Sequence, residues 1–191
     1  MQARNPQRIM KQRIITQGVG QSPDASAGGL AALKCELAGE VLRSFGELRF
    51  TETGWSMLPV IFPGDTLVVE RVHPDNVSIG DVVVVGREGR LCTHRVVSMI
   101  SDAGSPKWIT RGDGMPGPDR PVLANELLGR VAYLIRAGKL LTVPTELSIV
   151  EKLVAKIVQR SKPAARALVY LHQRVHTAET ISPRQDQPCE D

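Results

Sequence analysis

Aromatic residues make up only 4% of this 191-residue chain. So few rings exclude the stacking platforms that grip single-stranded nucleic acid. Cysteine is also scarce. Cys35, Cys92 and Cys189 are three in number and show no paired spacing. They form neither a disulfide framework nor a zinc pattern, and they fit a reducing compartment. No run of about 18 apolar residues occurs, so no transmembrane helix is expected. Met1 to Arg13 is basic and no apolar core follows it, so no secretory signal is expected. No internal repeat is visible. Neither sign of charge dominates: 24 Lys and Arg face 20 Asp and Glu, a net +4. That mild basicity gives no reason to expect a nucleic-acid partner. The expected location is cytoplasmic, with peripheral contact at a membrane as a second option.

What is present is an apolar fraction of 42%, enough for one packed domain with attached segments. Residues 1–29 are polar and read as disordered. From Leu30 the apolar positions Leu30, Leu33, Leu37, Val41, Phe45 and Leu48 recur every three or four residues. That spacing predicts an amphipathic helix lying on a core or a membrane surface. Short strands separated by turns follow from Glu47 to Val143. Arg87-Glu88-Gly89-Arg90 and Ala137-Gly138-Lys139 read as hairpin turns. Residues 30–143 therefore form the expected main domain: mainly β (α+β), a coiled antiparallel sheet or partly open β-barrel.

Residues 144–176 read as a basic helical tail. Thr145 is the expected cap of a helix running to about Arg160, and Pro163 suits the first turn of a second helix ending near His176. Lys152, Lys156, Arg160, Lys162, Arg166 and Arg174 make this pair basic. Docking on the sheet with a solvated basic face is the first expectation. Peripheral membrane contact through these helices is the second. Residues 177–191 read as a disordered C-terminus.

Chemistry concentrates in three stretches. Ser56 lies in Gly54-Trp55-Ser56-Met57-Leu58-Pro59, ahead of Pro63-Gly64-Asp65. A lone serine there could simply cap a turn. To act as a nucleophile it needs a base. His94, in Leu91-Cys92-Thr93-His94-Arg95-Val96-Val97, is the histidine that a strand would hold at fixed depth. Asp113 and Asp119 lie in the Gly- and Pro-rich stretch Arg111 to Pro121, where either could be only a turn former.

In this order, Ser56-Met57-x-Pro59, Pro63-Gly64-Asp65, Gly80-Asp81-Val82-Val83, His94-Arg95-Val96-Val97 and Arg111-Gly112-Asp113 with Asp119 resemble type I signal peptidases. The resemblance is closest to the histidine-base subclass of archaea and the endoplasmic reticulum. The LexA-type peptidase domains, with a lysine base, are related. The resemblance spans roughly Gly54 to Tyr133. It implies a serine endopeptidase with Ser56 as nucleophile, His94 as general base, Asp119 as the group orienting His94, and Asp113 holding the loop. Trp55, Met57 and Pro59 would then line the substrate and oxyanion region. The implied partner is a peptide or protein substrate bound as an extended strand, such as a leader-like segment. No metal or organic cofactor is implied. The alternative is a non-catalytic or self-cleaving regulatory module of the same fold. Two departures stand out: charged Leu30 to Thr53 replaces the membrane helix that usually precedes the serine, and Gly114 follows Asp113 where the family commonly has asparagine.

Overall fold

The computed structural model describes residues 24–102 and 105–180. Among the described residues the protein is α+β, with one open, antiparallel seven-stranded sheet and three α-helices. In chain order these are α1 (Asp24–Phe45), β1 (Glu47–Thr51), β2 (Thr66–Glu70), β3 (Val82–Arg87), β4 (Arg90–Asp102), β5 (Ser105–Arg111), β6 (Leu127–Arg136), β7 (Lys139–Thr142), α2 (Ile149–Arg160) and α3 (Lys162–Thr180). The strands run β1-β2-β6-β3-β4-β5 across the sheet. Along β6, β3 pairs near Leu127 to Arg130, and β7 takes over from Tyr133 to Arg136. The register shifts at Val68/Val69, Val84/Val85 and Val96/Ser98. Such irregularities bend a strand and increase its local twist.

Both short hairpins form where the turn residues predict them. Glu88 and Gly89 take φ of 51° and 71°, and Ala137 and Gly138 take 47° and 75°. Two successive positive φ values are the mark of a type I′ turn, whose twist matches the flanking strands. The run Val82-Val83-Val84-Val85 is buried on both faces. Val82 and Val84 join Leu42, Met57, Ile61, Leu67 and Val69 on one side of the sheet. Val83 and Val85 join Val77, Val96, Trp108 and Val122 on the other. Burying each such side chain stabilises the fold by about 1.5–3 kcal/mol. An unbroken valine run, rather than an alternating one, is what a strand covered on both faces requires.

The helices differ from expectation in three ways. First, α1 starts at Asp24, inside the segment expected to be disordered, and stops at Phe45 because Gly46 turns the chain with φ +76°. Leu48 consequently belongs to β1. The stripe expected to be buried is largely exposed at Leu33, Leu37 and Phe45, and α1 packs instead through Ala38 and Leu42. Elsewhere α1 lies close over the sheet, where a Cβ on Gly86 would meet Cys35 Sγ at 2.5 Å and one on Gly89 would meet Ala32 Cα at 2.9 Å. Second, Ser148 rather than Thr145 caps α2. Its hydroxyl accepts from Glu151 N–H while Glu151 accepts from Ser148 N–H, a complete capping box. Third, α3 continues to Thr180, past His176. The disorder expected for residues 1–23 and 181–191 falls outside the described residues.

The C-terminal helices dock directly on the turn that carries Ser56. Val158, Ala165 and Val169 pack with Leu58 and Phe62. The Phe62 ring stacks with His172 at a centroid distance of 3.6 Å and also lies under Arg136. Arg136 in turn binds both carboxylate oxygens of Asp65 at 2.8 and 2.6 Å and donates to Val60 O. The segment from Leu58 to Asp65 is therefore held on two sides. No helix among the described residues is long and apolar enough to cross a membrane.

Candidate active site

Ser56 and the loop after β5 share a glycine-lined contact. A Cβ added to Gly112 would lie 2.5 Å from Ser56 O and 3.0 Å from Ser56 Cβ. Gly114 donates its N–H to Ser56 O at 2.7 Å. A Cβ at Gly114 would come within 3.3 Å of the Ser56 and Trp55 carbonyls. Gly112 is thus needed for close backbone approach, and at Gly114 a side chain would fit only tightly. Gly112→Ala should push the Ser56 turn away. The expected cost, as for overpacking in general, is about 1–3 kcal/mol. A thermal melt of the variant tests this, and an unchanged midpoint would contradict it.

His94 lies on β4. Arg95 pairs with Arg111, the last residue of β5. Gly112, which packs against Ser56, thus follows directly on the residue that pairs with Arg95. Among the described residues the Ser56 hydroxyl makes no hydrogen bond, to His94 or elsewhere. The Ser56 and Met57 backbone N–H groups likewise make none.

The two aspartates separate cleanly. Asp119 lies against His94, with Oδ2 at 2.5 Å from Nδ1. The Thr110 hydroxyl donates to the same oxygen at 2.7 Å, and Asp119 N–H donates to Thr110 O. A carboxylate on Nδ1 fixes the ring with that nitrogen protonated, leaving Nε2 as the basic one. Asp113 is on the other side of the sheet. It receives a two-pronged bond from Arg95 at 2.8 and 2.7 Å, and both side chains are buried. Arg95 also donates to Gly80 O and Pro144 O, and Gln159 of α2 donates to Asp113 O. This knot ties the β5 loop to the β3 approach, the α2 approach and α2 itself. Alternation along β4 accounts for the split: adjacent residues His94 and Arg95 face opposite sides.

Among the other expected site residues, Met57 is 1% exposed and sits in the core, so only its backbone can serve the site. Trp55 is exposed, and Pro59 is half-buried behind a cis Leu58–Pro59 bond. No group of three or more His, Cys, Asp or Glu suited to a metal ion occurs among the described residues.

Beside the His94–Asp119 pair is a cavity of about 170 Å³ lined by Val85, Arg87, Cys92, His94, Thr110, Asp119 and Val122. Burial pushes the Cys92 thiol above its ordinary pKa, and the nearby Asp119 charge adds to the effect. Cys92 is therefore a lining group here and not an activated thiolate.

Sequence reasoning missed Arg87. Its guanidinium binds both oxygens of Glu126 at 2.9 and 2.7 Å and donates to the carbonyls of Arg120 and Pro121. It clamps the chain immediately after Asp119 to the β3–β4 hairpin. No local pattern signals a partner 39 residues away. The Arg87 hydrogen bonds hold the Glu126 carboxyl down at about 2, with the Leu123 N–H and nearby Arg charges adding to the effect. A carboxyl depressed in the folded state stabilises the fold above its unfolded pKa, and this is lost as pH falls. Between about pH 4.5 and pH 2, wild type should therefore lose stability more steeply than Glu126→Gln. Denaturant unfolding across that window checks it, and parallel curves would contradict it.

The chain matches no protein-family model and no curated protein.

Proposed function

We propose that this chain is a serine endopeptidase of the signal peptidase type, with the histidine-base chemistry that its motifs resemble and a sheet of the same family. The observation that carries the reading is the Asp119–His94 contact at 2.5 Å, made from the same loop whose Gly112 packs against Ser56. In the reaction, His94 Nε2 takes the hydroxyl proton as Ser56 Oγ attacks the scissile carbonyl of an extended peptide. Asp119 holds the ring and stabilises its cation. The unengaged N–H groups of Ser56 and Met57 are suited to receive the developing oxyanion. Collapse of the tetrahedral adduct passes the proton from His94 to the leaving amine and leaves an acyl-Ser56. Water, deprotonated by the same histidine, then releases the acyl group. The Ser56–His94 hydrogen bond forms on this account in the substrate complex, as catalytic hydrogen bonds often tighten only there.

The test is incubation with a serine-reactive peptide phosphonate followed by peptide mapping. A single adduct on Ser56 is expected. Labelling elsewhere, or none while an extended peptide still binds, would replace this reading with that of a peptide-binding module.

A further inference from the structure

The face of α2 that points away from the core carries a row of apolar side chains with no partner among the described residues. Ile149, Val150, Leu153 and Ile157 are 87%, 70%, 60% and 50% exposed. Their spacing places them on one stripe of the helix. The opposite side, through Ala155 and Val158, is committed to the core. Immediately beside the stripe, Lys152, Lys156 and Arg160 repeat every four residues, and all three are exposed. The single acidic residue of α2, Glu151, is engaged in the Ser148 cap. The fold thus leaves a ridge that is apolar along its crest and cationic along its flank.

We infer that this ridge of α2 rests on an anionic lipid surface, with the apolar crest in the acyl boundary and the basic row at the headgroups. Charge separates the exposed face of α2 from that of α1. Leu33 and Leu37 on α1 are exposed as well, but Glu36 and Glu40 stand among them, so α1 lacks the complement for anionic headgroups. On α2 the crest and the cations reinforce each other, which is the arrangement of an interfacial helix. Docking has a consequence for orientation. Gln159 joins α2 to Asp113 O, and Val158 packs with Leu58. The segments flanking Ser56 and Asp113 would therefore be held at a set angle to the lipid. The inference is independent of whether Ser56 is a nucleophile.

The experiment is co-sedimentation of the full chain with vesicles of phosphatidylcholine alone and of phosphatidylcholine mixed with phosphatidylglycerol, at low and high salt. Wild type should sediment with the mixed vesicles, and salt should weaken the binding. Leu153→Glu combined with Ile157→Glu should reduce binding roughly tenfold or more. Lys152→Glu combined with Lys156→Glu should abolish the preference for anionic lipid. Thermal melts should show both variants folded, since all four positions are exposed. Wild type remaining in the supernatant with anionic vesicles would overturn the inference. So would binding that survives Leu153→Glu with Ile157→Glu. Light scattering that shows a dimer dissolved by those same substitutions, without vesicle binding, would assign the ridge to self-association instead.

Discussion

Ser56→Ala and His94→Ala are each expected to lower peptide turnover by on the order of 10³-fold or more, and the double variant should be little worse than either. Groups that act as one unit fail together, so their losses do not add. The two variants should differ in stability. The Ser56 hydroxyl has no hydrogen-bond partner among the described residues, so its removal should leave the melting temperature nearly unchanged. His94→Ala removes one of the groups facing the Asp119 carboxylate and leaves that oxygen with Thr110. A modest fall in melting temperature is expected there. Turnover on an extended peptide, with melts in parallel, measures both. A His94→Ala protein with near wild-type turnover would remove His94 from the mechanism.

The second large effect separates the aspartates. Asp119→Asn should keep the fold and cost orders of magnitude in turnover, because an amide on Nδ1 no longer enforces the productive tautomer. Asp113→Asn should do the reverse in kind. Arg95 would be left buried with its carboxylate partner neutralised, and breaking a buried pair this way costs about 3–5 kcal/mol. For a chain of this size that is a melting-point drop on the order of 10 °C. Any loss of turnover should then follow the unfolding. An inactive Asp113→Asn protein with an unchanged melt, beside a fully active Asp119→Asn protein, would exchange the two roles.

Much of the sheet was legible because its signals are local. Glu88-Gly89 and Ala137-Gly138 announce type I′ turns, and the four-valine run announces a strand covered on both sides. The α1 stripe misled because periodicity names an apolar face without saying what it meets. The Ala38 and Leu42 face took the core instead. Thr145 and Ser148 were equivalent as caps until Glu151 is counted three residues after Ser148. At the candidate site, motif order suggested Ser56, His94 and the two aspartates. Strand alternation sets His94 and Arg95 on opposite sides of β4, but which aspartate meets which of them depends on the course of the loop after β5. The Arg87 clamp and the Gly112 contact were illegible for a different reason. Each is a long-range approach with no periodic trace in the sequence.

The central claim is that His94, oriented by Asp119, activates Ser56. The most direct measurement is the rate at which a serine-reactive phosphonate modifies Ser56 in wild type, His94→Ala and Asp119→Asn. The account predicts rapid modification in wild type and strong slowing in both variants while their folds persist. Equal rates in all three proteins would contradict it and leave Ser56 as an ordinary turn serine.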